Sequence, residues 1–277
     1  MSFEVEKETS SELLTPSSEL KTKIVLVVEY DGTNYCGFQF QQNAPTVQDE
    51  IEKALLKLTA EKVRIVAASR TDTGVHAKGQ VVSFRTGSVL ETVTFIAGLN
   101  HYLPPDIAIR ASYKVNIGFN VQREAISREY RYLIINSTER SPLKRSYAHH
   151  ISGKLNVEAM NRASQKLIGK NDLASFVTGF SRSIIKSTFR TVFQTLVERR
   201  GDLVVLDIVA NSFLPHQVRN TVGTLVKVGL GKISISDFEI IMEAKKPGLA
   251  GPTAPAQGLY LMKVNYPRPL GDYYEDL

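Results

Sequence analysis

The chain has a single cysteine, Cys36, which rules out an internal disulfide and any cysteine-rich metal cluster. No apolar run approaches the roughly 20 residues that a membrane-spanning helix needs. The opening residues, MSFEVEKETSSELLTPSSEL, lack the basic and then apolar segments of an export signal, so the expected location is the cytoplasm. The common cofactor signatures are missing as well. There is no G-x-G-x-x-G, and GLGKI (229–233) fails as a phosphate-binding loop because Val226 stands where its first glycine belongs and Ile233 follows the lysine. The five histidines, His76, His101, His149, His150 and His216, have no metal-ligand spacing. The adjacent pair His149-His150 lies in an extended stretch, points to opposite sides and is expected at the surface.

What remains is an ordinary globular composition in 277 residues, 43% hydrophobic and 22% charged, with ample material for a core. The charge is unevenly placed. Residues 1–20 carry net −4 and residues 271–277 carry −3, so the body between them stands at +13 against +6 for the whole chain. A body that basic favours a polyanion, and nucleic acid is the usual one.

Periodicity gives a mixed architecture. KIVLVVEY (23–30) reads as a strand, and PTVQDEIEKALLKL (45–58) as a helix capped by Thr46 with Val47, Ile51, Ala54, Leu55 and Leu58 as its apolar stripe. VRIVAA (63–68) and QVVSFR (80–85) read as paired strands, 88–101 as a helix, and the segment from Pro104 to Val115 as a strand. The second half continues with a strand at 128–136, a helix at 156–169 and a hairpin over 191–210 turning at Arg200-Gly201-Asp202. Helices at 214–231 and 235–244 and a closing strand at 258–267 follow. Strands and helices mix without a strict βαβ rhythm, so the fold class is α+β with a largely antiparallel sheet. The expected organisation is an acidic disordered tail (1–22), an N-terminal half (23–117), a C-terminal half (118–268) and a short acidic C-terminal tail (269–277).

The stretch SRTDTGVHAKGQ (69–80) sets Arg70, Asp72, His76 and Lys78 on a loop punctuated by Gly74 and Gly79. Asp72-Thr73-Gly74 matches the aspartic-protease triplet, but those enzymes need two carboxylates sharing one proton. Here the triplet occurs once, so a homodimer would have to supply the second, and Ser69-Arg70-Thr71 replaces the usual apolar lead-in. A guanidinium turned toward Asp72 would favour its ionised form, which opposes proton sharing and suits a nucleophile or base instead. An isolated R-x-D is more often a surface pair of little consequence. The glycine-shaped loop between strands is what favours a site.

ASRTDTGVHAKGQVVSF resembles the signature of the tRNA pseudouridine synthase A family. YDGTNYCGFQFQ (30–41), NHYLPPDIAI (100–109), REYRYLI (128–134), FLPHQVRNTVGTL (213–225) and APAQGLYL (254–261) also resemble that family, in the same order. The resemblance implies a fold of two pseudo-twofold-related halves with antiparallel sheets around a basic cleft. It implies isomerisation of uridine to pseudouridine at positions 38–40 of the tRNA anticodon stem-loop, by a homodimer using no metal and no organic cofactor. Asp72 then matches the catalytic aspartate, acting either as nucleophile or as base. Tyr130 matches the tyrosine that packs on the target base, and Arg219 the basic residue that pairs with the aspartate. Arg70 matches the residue that fills the space of the everted nucleotide. Lys78, Arg123, Arg128 and Arg131 are expected phosphate contacts, and His76 a structural hydrogen-bonder within its loop.

Independently of the family, Val218, Val222, Leu225 and Gly229 make an apolar stripe with Arg219 at its edge. The chain departs from the family pattern at Phe38, in place of a tryptophan, and at Gln122, in place of an arginine. Two other classes compete, a catalytically silent RNA-binding protein on the same fold and the dimeric aspartic hydrolase. Retention of Asp72, Tyr130 and Arg219 argues against the first.

Overall fold

A computed structural model describes residues 22–178, 185 and 187–274 of the chain. The expected tail over 1–22 lies outside the described residues except for Thr22.

Among the described residues, ten strands form one sheet: β1 (Thr22–Tyr30), β2 (Val66–Ala67), β3 (His76–Thr86), β4 (Ile107–Val115), β5 (Ser127–Asn136), β6 (His149–Ile151), β7 (Gly169–Asp172), β8 (Phe189–Arg200), β9 (Leu203–Ala210) and β10 (Leu259–Asn265). Their order is β4-β1-β3-β10-β5-β9-β8-β7, with β2 added beside β3 and β6 beside β5. All pairings are antiparallel except β10 with β3 and β5 with β6. The expected α+β class with a largely antiparallel sheet is what the chain forms. The C-terminal strand is inserted at the middle of the sheet, where it joins the strands that precede residue 117 to those that follow it.

Among the described residues, five α-helices accompany the sheet: α1 (Val47–Thr59), α2 (Thr92–Tyr102), α3 (Val157–Gln165), α4 (Gln217–Gly229) and α5 (Ile235–Glu243). Thr46 caps α1 as expected, its side chain accepting from the Asp49 amide, and Val47, Ile51, Ala54 and Leu55 are buried. The core is continuous, running from Ile24 and Leu26 on β1 through Tyr132 and Ile134 on β5 to Val222 and Leu225 on α4.

Four expectations need correction. Of VRIVAA only Val66 and Ala67 pair with β3. The Ile65 amide before them donates instead to the Glu52 carboxylate on α1. Helix α4 is buried nearly all round, Gln217, Asn220, Thr221 and Thr224 included, rather than along one stripe. Two of its polar side chains are bonded to segments remote in sequence: Asn220 donates to Phe176 O, and Thr224 Oγ1 accepts from the Gly251 amide. The described part of 269–277 is docked, because Leu270–Tyr273 form a turn whose Tyr273 ring is buried against Phe119. His149 and His150 are half-buried, and His150 Nε2 lies 2.9 Å from Ser137 O.

Helix α4 is wedged against the segment 250–254 so closely that a Cβ on Gly223 would lie 1.8 Å from Pro252 O. Gly→Ala in a helix ordinarily gains about 1 kcal/mol. Here Gly223→Ala is expected to lose about 2 kcal/mol, lowering the melting temperature by roughly 4–8 °C in thermal denaturation. An unchanged or raised melting temperature would contradict the packing described.

Candidate active site

The loop between β2 and β3 is fastened on every side. Ser69 exchanges two bonds with Gln80 on β3, its amide donating to Oε1 at 3.3 Å and its carbonyl accepting from Nε2 at 2.7 Å. Thr71 Oγ1 lies 2.7 Å from the Tyr30 hydroxyl, and Thr71 O accepts from the Phe38 amide. Gly74 turns the chain with φ +76°, a conformation that side chains with a Cβ rarely adopt. Gly37 (φ +89°) lets the 31–44 segment close on the loop: a Cβ there would sit 2.8 Å from Thr71 O. Asp72 is therefore presented on a rigid turn, its own carbonyl accepting from the Val75 amide.

The carboxylate of Asp72 meets the start of α4. Arg219 Nη1 donates to Oδ2 at 3.1 Å, while Arg219 Nε donates to Ala254 O at 2.8 Å. A planar guanidinium with two separate acceptors has a fixed orientation. His216 Nε2 is 3.6 Å from the same oxygen. Every contact that described residues make with the carboxylate falls on Oδ2, which leaves Oδ1 uncommitted.

These groups border a cavity of about 540 Å³, lined also by Arg70, Gln122, Arg128, Tyr130 and Phe213. Tyr130 is buried, with its hydroxyl 3.0 Å from Ser69 Oγ and its ring edge-on to Phe213 at 5.0 Å. Burial pushes its hydroxyl up to about 12, so it stays a neutral phenol. It lines the cavity beside Asp72 and Phe213. Among the described residues, no group of three or more His, Cys, Asp or Glu side chains is placed to hold a metal.

The structure thus brings Asp72, Arg219, Tyr130 and Arg70 around one cavity. Arg70 is exposed at its rim and forms no ion pair among the described residues, so the cation beside Asp72 is Arg219. The other expected cations are dispersed. Arg128 is buried, and its guanidinium donates to four backbone carbonyls, those of Ala68, Gln122, Ala125 and Asn211. Those four bonds make it a structural tie between the segments that line the cavity. Arg131 makes a two-pronged pair with Asp207, at 2.7 and 3.0 Å. As the next residue along β5, it lies on the opposite face from Tyr130. Lys78 is exposed but lines a separate groove, beside Tyr147 and Tyr260. Arg123 is exposed and does not line the cavity.

His76 is a buried hydrogen-bonder as expected, but its partners lie beyond its own loop. Nδ1 accepts from the Gly32 amide, Nε2 lies 3.0 Å from Ser146 O, and the ring stacks on Tyr260. Gln122, at the family's arginine position, donates to Ala67 O and so ties down the end of β2. Sequence reasoning missed His216 and Phe213. Both lie within FLPHQVRN, where a histidine between Pro215 and a helix start was the available signal.

Arg128 and Arg70 should behave oppositely on substitution. Arg128→Leu strands four carbonyls, and we expect a loss of about 3 kcal/mol in thermal unfolding. Arg70→Ala should leave stability within about 0.5 kcal/mol while weakening RNA binding. An Arg128→Leu protein of unchanged stability and reduced salt slope would restore the phosphate role.

Comparison with known proteins agrees with this geometry. A family model described as tRNA pseudouridine synthase matches residues 26–122 and 163–267. A tRNA pseudouridine synthase A from Acetivibrio thermocellus is 45% identical over 243 residues, covering 88% of this chain and 99% of that protein. The protein of the same name from Geotalea daltonii is 44% identical over 243 residues, with the same coverage. That from Vibrio campbellii is 42% identical over 249 residues, covering 90% of this chain and 94% of its relative. The match takes in both the Asp72 loop and the Arg219 helix, and the chain belongs to the tRNA pseudouridine synthase family.

Proposed function

We propose that this chain isomerises uridine to pseudouridine in the anticodon stem-loop of tRNA, at positions 38–40, with Asp72 as the catalytic carboxylate. The observation that carries the reading is the arrangement of Asp72. A half-buried carboxylate, held through one oxygen by Arg219, borders a cavity that Tyr130 also lines. The high identity to proteins named tRNA pseudouridine synthase A, over nearly their whole length, supports the substrate class.

The chemistry follows from the geometry. Uridine is joined to ribose through N1 and pseudouridine through C5, so one C–N bond breaks and one C–C bond forms. N1 gains a proton and C5 loses one, and the two nucleosides are isomers. No oxidant, reductant or group donor is consumed. Asp72 initiates cleavage at the sugar, and Arg219 holds its carboxylate in place for that step. The base must leave the RNA stack to reach it, and the Tyr130 ring offers the flat partner that an everted base needs, contributing roughly 1–3 kcal/mol. Arg70 at the rim takes the space the nucleotide vacates. Arg123 and Lys78 are left as peripheral phosphate contacts on a body of net charge +13. The same reading makes the enzyme a cytoplasmic homodimer, each chain built of halves 23–117 and 118–268 joined around the cavity.

Tritium release from tRNA labelled at uridine C5 tests the assignment. Wild-type protein should release tritium, and Asp72→Asn should show none above background while still binding tRNA. Release by Asp72→Asn would remove Asp72 from its role. No release by folded wild-type protein on several tRNAs would sink the enzyme reading and favour a silent RNA-binding protein.

A further inference from the structure

We infer that His216 is a positioning residue for Asp72: its Nε2–H joins Arg219 in holding Oδ2, which makes Oδ1 the oxygen that acts on the sugar. The inference rests on Asp72 being the catalytic carboxylate.

The backbone supplies the first argument. His216 has φ 59° and ψ 0°, one of three non-glycine residues at positive φ among the described residues. That conformation is disfavoured for residues with a Cβ, and such strain persists where the surroundings impose it, often at functional sites. Here it accompanies an imidazole set 3.6 Å from Asp72 Oδ2 at the start of α4. The ring is not there to cap the helix, because its side chain makes no cap bond on α4. Arg219 follows three residues later, so both holders of Oδ2 stand on one turn of one helix.

The protonation pattern supplies the second. An ionised carboxylate only accepts hydrogen bonds, so the nitrogen facing it carries the hydrogen. Nδ1 is buried with no hydrogen-bond partner among the described residues. A hydrogen on Nδ1 would be a buried donor without an acceptor, whereas a bare lone pair there is the milder orphan. The ring therefore carries its hydrogen on Nε2, the nitrogen 3.6 Å from Oδ2. At 3.6 Å the contact is longer than a hydrogen bond, as contacts in substrate-free sites often are, and it shortens when RNA fills the cavity.

Two substitutions separate positioning from structure. Asn tolerates the left-handed backbone but reaches only as far as Nδ1, while Gln carries an amide nitrogen to the reach of Nε2. His216→Asn should lower kcat about tenfold, with KM for tRNA within about twofold and an unchanged melting temperature. His216→Gln should recover to within about threefold of wild type. Nitrogen NMR of the wild-type ring should show a protonated Nε2 and a bare Nδ1, and the Nε2 signal should move in Asp72→Asn. Wild-type kcat in His216→Asn, a loss confined to KM, or a Gln variant as slow as Asn would each overturn the inference. Asp72→Asn run alongside tells the two failures apart. If it still turns over, the carboxylate assignment falls; if it is dead while His216→Asn is normal, only the role of His216 falls.

Discussion

The contact between Asp72 and Arg219 is the constraint around which the rest is arranged. It joins side chains 147 positions apart in sequence, one on the turn ahead of β3 and one on the first turn of α4. With side chains 35% and 17% exposed, the pair has lost part of its hydration, so its net contribution to stability is modest. Its value is geometric. The surrounding structure fixes each partner independently, Asp72 through the bonds of Ser69 and Thr71 to Gln80 and Tyr30, and Arg219 through Ala254 O. Two preset groups meeting at one oxygen make a carboxylate whose orientation is determined before any substrate arrives.

The same logic separates the cations of this basic chain into two populations. Arg128 and Arg131 are spent inside the protein, one gathering four carbonyls at the mouth of the cavity and one bracing β5 against β9 through Asp207. Arg70 and Arg123 are exposed and keep their charge available to solvent. Phosphate recognition by such a surface depends on which guanidinium groups retain free donors, not on how many the motifs contain.

Much of this was legible in the sequence because local rules and tertiary structure agree. The Thr46 cap, the 200–202 hairpin and the strands of KIVLVVEY and REYRYLIIN follow period and turn chemistry alone. The Asp72 loop stood out because charged residues and glycines interrupt two apolar stretches. Legibility failed where a partner remote in sequence decides the outcome. VRIVAA has the pattern of a full strand, but Glu52 takes the Ile65 amide and β3 offers pairing to Val66 and Ala67. Helix α4 reads as amphipathic because nothing local reveals that Phe176 and the 250–254 segment cover its polar side. Nothing local in REYRY shows that Arg128 donates to four carbonyls or that Arg131 pairs with Asp207 on β9. His216 offered only its place between Pro215 and a helix start, because its left-handed backbone angle and its approach to Asp72 are not encoded in composition.

The central claim is that Arg219 holds one oxygen of Asp72 so that the other meets the sugar. The most direct measurement is a crystal structure of the protein bound to tRNA carrying 5-fluorouridine at the target position, which has no C5 proton to lose. The account predicts the base everted against Tyr130, Asp72 Oδ1 bonded to the target ribose or about 3–3.5 Å from it, and Oδ2 still on Arg219. A ribose approached by Oδ2 with the Arg219 contact broken, or a target base lodged outside this cavity, would contradict it.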